Sequence, residues 1–232
     1  MGLGLYTPPE AARLVGLSTS TMRRWLRGYR YRYRTKRGRR EGSSQPVIEG
    51  EVPSLGRLTA VSFLELMEAY IVRQFLDQGV RLSTVRLAGL RGREKFGTEH
   101  PFAHRRFKTD GEGIFIELSG ATAQGKRKLL LELSKLQYAM PEVLDAYLSR
   151  IEFDPDTELA ARWWPMGKDT PVVLDPHVAF GAPVVQGTRV PAQVLAEAAR
   201  AGETVESLCY WYDLGPEEVE AALAFATQRL AA

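Results

Sequence analysis

The sequence predicts an α+β fold: an N-terminal winged helix-turn-helix, a mixed α+β middle region, and a C-terminal β arm followed by a three-helix, helix-turn-helix-like module. Three observations carry this. Two helix starts follow one another within the first twenty residues. A run of strict alternation comes directly after them, and the C-terminal part sets two short extended pieces ahead of three capped helical patterns. At 232 residues, with 44% hydrophobic and 25% charged content, the chain can bury a substantial core and hold more than one domain. The expected division is residues 1–56, 57–168 and 169–232.

The first helix start is "YTPPEAARLVG". Thr7 and Glu10 have capping-box spacing, and the prolines fall in the first turn, where a missing N–H costs nothing. Ala11, Leu14 and Val15 give one apolar face, and Gly16 is a stop. Ser18 caps a second helix from about Thr19, on which Met22, Trp25 and Leu26 point inward. Ser20, Arg23, Arg24 and Arg27 fall on the opposite face. Two short helices joined through a Gly-containing turn, the second with a polar and basic face, read as a helix-turn-helix, with a plain helical hairpin as the alternative.

The next stretch tips that balance. Over Gly28–Arg34 tyrosine alternates with arginine, the signature of a strand. Tyr29, Tyr31 and Tyr33 then share one face, expected to pack on the helices. Arg30, Arg32 and Arg34 share the other, spaced about 6.6 Å apart. "TKRGRREGSSQP" supplies turn residues and "PVIEG" is the expected returning strand, making a wing. Ten Lys and Arg fall within Arg23–Arg40, and no acidic residue stands between Glu10 and Glu41. Double-stranded DNA is the expected partner: the wing cations Arg30, Arg32, Arg34, Lys36, Arg37, Arg39 and Arg40 would grip phosphates. The helix, through Ser18, Ser20, Thr21, Arg23, Arg24 and Arg27, would enter the major groove.

Charge is divided along the chain. Residues 1–50 carry 11 Lys and Arg against 3 Asp and Glu (+8), residues 51–170 carry 17 against 17, and residues 171–232 carry 3 against 8 (−5). A basic head and an acidic tail imply two surfaces with different partners.

"YTPPEAARLVGLSTSTMRRWLRGYRYR" resembles the N-terminal winged helix-turn-helix of MerR-type regulators, with "EAARLVGLSTSTMRRW" carrying the likeness. "FLELMEAYIVRQFLDQGVRLSTVRLA" is similar to the second helical pair of such domains. On it Ser62 and Glu65 again have capping-box spacing, for a largely buried helix over Ser62–Gln78 ending at Gly79. Ser83 is the expected cap of the next helix, to about Lys95. The likeness stops at "FGTEHPFAHRRFKTDGEGIFIEL", where a long coiled-coil helix would normally follow.

That segment reads as a hairpin, Arg105–Thr109 with Gly113–Leu118. Residues 126–134 suit a third strand or a helix start equally. Pro141–Arg150 reads as a short helix, and "RIEFD", "ARWWP" and "PVVLD" as short strands, with Trp163 and Trp164 in the core. Glu99, His100 and His104 are the one tempting metal cluster, but Pro101 interrupts the helical spacing and no further ligand is near. No metal or cofactor is expected.

In the tail a strand ends at Asp175–Pro176 and "GAPVVQG" is a second extended piece. Pro191 opens a helix with Val194, Leu195 and Ala198 inward, ending at Gly202. Thr204 caps the next, and Pro216 starts the last with Glu217 and Glu218 matched to its dipole. Val219, Leu223 and Ala226 form its inner stripe. The segment from Val172 to Ala226 closely resembles the VapB-like antitoxin domain, formerly a domain of unknown function. That resemblance implies neutralisation of a neighbouring PIN-like ribonuclease toxin and repression of the shared operon.

Gly187, Thr188 and Arg189 are candidate partner or dimer contacts, against a structural reading in which Gly187 permits a turn and Arg189 pairs with Asp175. Strand pairing through the β arm is a route to a homodimer. Tyr210, Trp211 and Tyr212, beside Glu206, Glu217, Glu218 and Glu220, suit a protein partner; like-charge repulsion argues against DNA there.

Other classes are excluded by what is missing. The single Cys209 allows no disulfide framework and is expected to be a small buried residue. No apolar run approaches the ~20 residues of a membrane span. "MGLGLYTPPE" lacks signal-peptide features, and Tyr6 stands where a myristoylation motif needs Ser or Thr. A cytoplasmic protein, on the nucleoid when DNA-bound, is expected. No Walker loop, nucleophile elbow, His-Glu-x-x-His or paired-carboxylate pattern occurs, so an enzyme is not expected. The expected function is a DNA-binding antitoxin; the alternative is a stand-alone MerR-like regulator whose middle region senses a ligand or oligomerises.

Overall fold

The computed structural model describes residues 4–35, 38–50, 60–107 and 146–230. Its elements are mixed α and β. The chain opens with β1 (Leu5–Tyr6), α1 (Pro8–Val15) and α2 (Thr19–Arg27), followed by the hairpin β2 (Tyr29–Thr35) and β3 (Gly38–Ser44). Next come β4 (Val61–Ser62), which pairs back onto β1, and the helices α3 (Phe63–Asp77) and α4 (Leu82–Phe96).

Both capping boxes form. The Thr7 N–H donates to Glu10 Oε2 at 2.7 Å, and the Ser62 N–H to Glu65 Oε2 at 2.6 Å, so each N-terminus answers its own orphan donors. Ser18 caps α2 through the Thr21 N–H, and Gly16 ends α1 in the left-handed region at φ 68. The α4 start differs from expectation. Arg81, not Ser83, holds the cap position and makes no side-chain cap bond, while Ser83 lies inside the helix.

The returning strand of the wing is Gly38–Ser44, not "PVIEG". Val47 and Ile48 are buried instead, their N–H groups both donating to the Trp25 carbonyl at 2.7 and 3.2 Å. Two apolar side chains gain more under α2 than on a hairpin with no layer behind it. Of the expected hairpin after Arg105, residues 108–118 lie outside the described residues; Arg105 lies in a turn and Arg106 and Phe107 are helical rather than extended. Residues 126–134 also lie outside, and of Pro141–Arg150 the described residues 146–148 are helical.

A four-stranded antiparallel sheet follows: β5 (Ile151–Phe153), β6 (Ala160–Trp163), β7 (Val172–Leu174) and β8 (Pro183–Val185), in that order. It joins strands on both sides of residue 168, so the C-terminal β arm is paired within its own chain. Alternation sorts its faces. Trp163, Val172, Leu174 and Val185 enter the main core, whereas Val173 and Val184 pack with Trp164 on the other side.

The tail helices are α5 (Ala192–Arg200), α6 (Val205–Tyr212) and α7 (Pro216–Phe225), then a π turn over Ala226–Leu230. On α5 the buried residues are Ala192, Leu195 and Ala196; Val194 is exposed, because the face that meets α7 and β8 is rotated from the expected one. On α7, Val219, Ala222 and Phe225 carry the inner stripe with Ala226 just beyond, and Leu223 is only half-buried. Cys209 is half-buried rather than fully enclosed. One hydrophobic cluster runs from Tyr6 through α3 to Phe225. Head and tail are further tied by the Tyr6 hydroxyl, which donates to the Gly181 carbonyl at 2.7 Å, and by the Ala226–Leu230 turn lying against α1.

Candidate nucleic-acid interface

The basic surface is built by α2 and the wing. Burial of Met22, Trp25 and Leu26 fixes the rotation of α2 and leaves Ser20, Arg23, Arg24 and Arg27 exposed on its outer face. The hydroxyl of Ser18 is committed to the helix start: its Oγ accepts from the Thr21 N–H at 3.1 Å and lies 3.0 Å from Ser20 Oγ and 2.8 Å from Thr21 Oγ1. Thr21 is half-buried. Gly28 is the joint between helix and wing. Its φ of 68 is left-handed, and a Cβ there would stand 2.3 Å from the Ser44 carbonyl oxygen, so only glycine lets the hairpin close against α2. Arg86 of α4 braces the same corner, its Nη2 donating to Ser44 Oγ at 2.6 Å.

Register assigns the wing's two faces. Arg30, Arg32 and Arg34 lie opposite Ser43, Glu41 and Arg39, while Tyr29, Tyr31 and Tyr33 lie opposite Ser44, Gly42 and Arg40. All of these arginines are exposed. Arg32 shares its charge with Glu41 at 2.8 Å; the partners are 79% and 67% exposed, so the pair contributes little stability but does occupy one cation. Lys36 and Arg37 lie outside the described residues.

Contrary to expectation, the tyrosines are not buried against the described helices; only Tyr29 meets one, through Arg24. They remain exposed, with Tyr29–Tyr31 and Tyr31–Tyr33 ring centroids 5.8 and 5.9 Å apart and Arg24 standing over the Tyr29 ring at 5.3 Å. The strand that could have brought an apolar layer, "GRREGSS", has none to bring. That composition was the available signal: tyrosines facing Gly, Ser and Arg have no core to enter.

In the tail, Gly187 makes the expected turn at φ 81, and the Thr188 hydroxyl donates to the Val185 carbonyl at 2.9 Å. Arg189 is exposed and does not reach Asp175. Arg162 of β6 takes that carboxylate instead, Nε to Oδ2 at 3.2 Å, because the pairing of Trp163 with Leu174 sets Arg162 beside Asp175, one residue beyond β7. Tyr210 and Trp211 are 86% and 58% exposed on α6, while Tyr212 is half-buried against the core. At the start of α6, the Glu206 carboxyl is held below the usual carboxylate range by its own backbone N–H and the Thr204 hydroxyl. Among the described residues no hydrogen bond, ion pair or ring contact joins the Gly187–Arg189 turn to these aromatics.

His100 and His104 are also accounted for. Nδ1 of His100 lies 3.1 Å from the buried Glu68 carboxylate, and the His104 ring stacks on Phe96 at 5.4 Å. No cluster of metal-ligating residues occurs among the described residues, and no helix there is long and apolar enough to cross a membrane.

Comparison with known proteins bears on both ends of the chain. Residues 4–88 match the family described as "Putative DNA-binding HTH domain" (HTH_66), which takes in α1, α2, the wing, α3 and the first half of α4. Residues 172–226 match the family "Protein of unknown function (DUF433)". The chain is similar to "Putative antitoxin VapB45" of Mycobacterium tuberculosis, 28% identical over 94% of this chain and 92% of that protein. It is also similar to "Uncharacterized protein Rv2308" of the same organism, 26% identical over 95% and 89% of the two chains. Its fold is that of the crystal structure of Rv2018 from M. tuberculosis, with a TM-score of 0.72, 24% identity, and coverage of 95% of this chain and 97% of that one.

Proposed function

We propose that this chain, similar over 94% of its length to a protein named "Putative antitoxin VapB45" and matching a "Putative DNA-binding HTH domain" over residues 4–88, is the DNA-binding antitoxin of a type II toxin–antitoxin pair. The observation that carries the DNA half is the surface made by α2 and the wing, where exposed arginines from two elements meet with a single acidic side chain, Glu41, among them. Such a surface supplies the counterion-release term that dominates affinity for duplex DNA, while the exposed face of α2 is free to read base edges. Two copies related by a two-fold axis would match a palindromic operator and repress the gene's own operon.

The toxin half is carried by the tail. Tyr210 and Trp211 project from a helix bearing Glu206 and followed by Glu217, Glu218 and Glu220. Large exposed aromatics in an acidic tail fit a basic protein surface, and a PIN-like ribonuclease offers one by needing to attract RNA. The test is growth rescue. The neighbouring reading frame is expressed alone, then with the full chain, then with Tyr210→Ala and Trp211→Ala together, then with Arg23→Ala and Arg24→Ala together. The expected result is a toxic neighbour, rescued by the wild-type chain and the arginine variant but not by the aromatic variant. A harmless neighbour refutes the antitoxin reading and favours the stand-alone regulator.

A further inference from the structure

The arginines of the wing have an evident use, whereas its other face does not. Tyr29, Tyr31 and Tyr33 are 39%, 45% and 44% exposed, in a hairpin both of whose faces meet solvent. Exposing three aromatic rings in one row costs hydrophobic free energy that a surface strand of polar residues would not incur. The row is also held in place. The Tyr31 ring lies across the backbone of Gly42, so closely that a Cβ at Gly42 would be 2.7 Å from a ring carbon. Each ring props the next at 5.8 and 5.9 Å, and Arg24 stands over Tyr29 at 5.3 Å. The rings are thereby braced on the hairpin yet remain substantially exposed, with Arg40 on the same side of the hairpin.

We propose that this face is a stacking platform for the unpaired bases of a single-stranded nucleic acid. The inference rests on the reading of the wing as a nucleic-acid contact and extends it to a second class of ligand. A duplex presents only base edges to a protein; its base faces are already stacked on one another. Exposed rings of this kind therefore gain little from a duplex and much from an unpaired strand, where each base has a free π-face. The spacing agrees. Phosphates along one duplex strand rise about 3.4 Å apart, so bases seated on rings nearly 6 Å apart must be drawn away from each other, as in an extended single strand. Charge complementarity selects a polyanion over an apolar protein partner: Arg24 and Arg40 flank the rings, and Arg30, Arg34 and Arg39 lie on the reverse face.

The test uses the full chain and a fluorescent oligothymidine of about ten nucleotides, followed by anisotropy. An abasic strand with the same phosphates serves as the reference. The wild-type chain binds oligothymidine at least tenfold more tightly than the abasic strand. Tyr31→Leu, which keeps an apolar side chain suited to a strand, removes about 5- to 150-fold of that advantage. Tyr31→Phe, which keeps the ring, retains it. Oligouridine in place of oligothymidine tells RNA from DNA as the source of the bases. Equal binding of the abasic and thymidine strands overturns the proposal, and that comparison needs no variant to fold. Equal binding by Tyr31→Leu and wild type also overturns it.

Failure of the underlying reading has a different signature. If Arg30→Ala with Arg34→Ala changes affinity for neither duplex nor single strand, the wing is not a nucleic-acid contact at all. If those changes weaken both while Tyr31→Leu changes nothing, the wing holds phosphates and the platform alone is refuted.

Discussion

Salt dependence is the sharpest test of the proposed DNA-binding surface, and its size follows from the cations that the described residues leave unshared. On α2 these are Arg23, Arg24 and Arg27; on the arginine face of the wing they are Arg30, Arg34 and Arg39. Arg32 is excluded because Glu41 holds it at 2.8 Å. If the six together neutralise about six phosphate charges, Arg23 and Arg24 doing so from within the groove where they also reach base edges, log K against log salt for duplex binding has a slope of about −5 per protomer, and affinity falls roughly 10³-fold between about 50 and 200 mM salt. Two perturbations then move the slope in opposite directions. Arg30→Ala with Arg34→Ala makes it shallower by about 2, equally on every sequence, since phosphate contacts position without specifying. Glu41→Gln frees Arg32 and makes it steeper by about 1, while an exposed pair of this kind leaves stability almost unchanged. Arg23→Ala or Arg24→Ala instead changes sequence preference, at a cost of about 1–3 kcal/mol on the preferred site. The assay is anisotropy titration of labelled DNA from upstream of the gene, at four or more salt concentrations, against an unrelated duplex. A flat slope refutes the surface. Equal losses on both duplexes from the helix and wing variants refute the division of labour between them.

Gly28→Ala puts a methyl group against the Ser44 carbonyl at a left-handed φ of 68, so the denaturant midpoint falls by the equivalent of about 1–3 kcal/mol and duplex affinity falls with it. An unchanged midpoint would mean that the wing hinges elsewhere. Glu68 is buried against His100, and burial raises its carboxyl above the usual glutamate range. The folded state therefore keeps a proton that the unfolded chain gives up, and this contribution to stability is full below about pH 4.3 and lost as pH rises through the raised folded value. Glu68→Gln keeps an acceptor for the Phe102 N–H but does not titrate, so its advantage over wild type grows with pH; parallel stability curves between pH 4 and 8 would refute this. Tyr210→Ala with Trp211→Ala, at 86% and 58% exposed positions, changes stability by no more than about 0.5 kcal/mol while abolishing capture of the toxin in a pull-down. A large loss of stability would mean that these rings serve the fold.

Much of the local structure was legible in the sequence because it is decided by neighbours in the chain. Thr7 with Glu10, Ser62 with Glu65, Ser18 ahead of Thr19 and Pro216 after Gly215 are satisfied within one turn. Their chemistry fixes a helix start whatever lies beyond it. Alternation alone made Tyr29–Thr35 a strand. Charge alone made the head basic and the tail acidic. These features carried the expectation of a DNA-binding head; the antitoxin reading of the tail came from the resemblance of its sequence to the VapB-like domain.

What faces what could not be read that way. Alternation divides tyrosine from arginine without saying whether any layer covers either side, and the absence of one turned expected core residues into surface. Asp175 chose Arg162 over Arg189, almost equally far in sequence, because the pairing of Trp163 with Leu174 sets Arg162 beside it. Val194 turned outward and Val47 and Ile48 turned inward for the same reason: each apolar face goes where another element offers a surface. Capping and periodicity act over three or four residues and are written in the sequence. Burial and charge pairing depend on which elements meet, and that was decided only when β1 found β4, Tyr6 found Gly181 and the sheet closed over the tail helices.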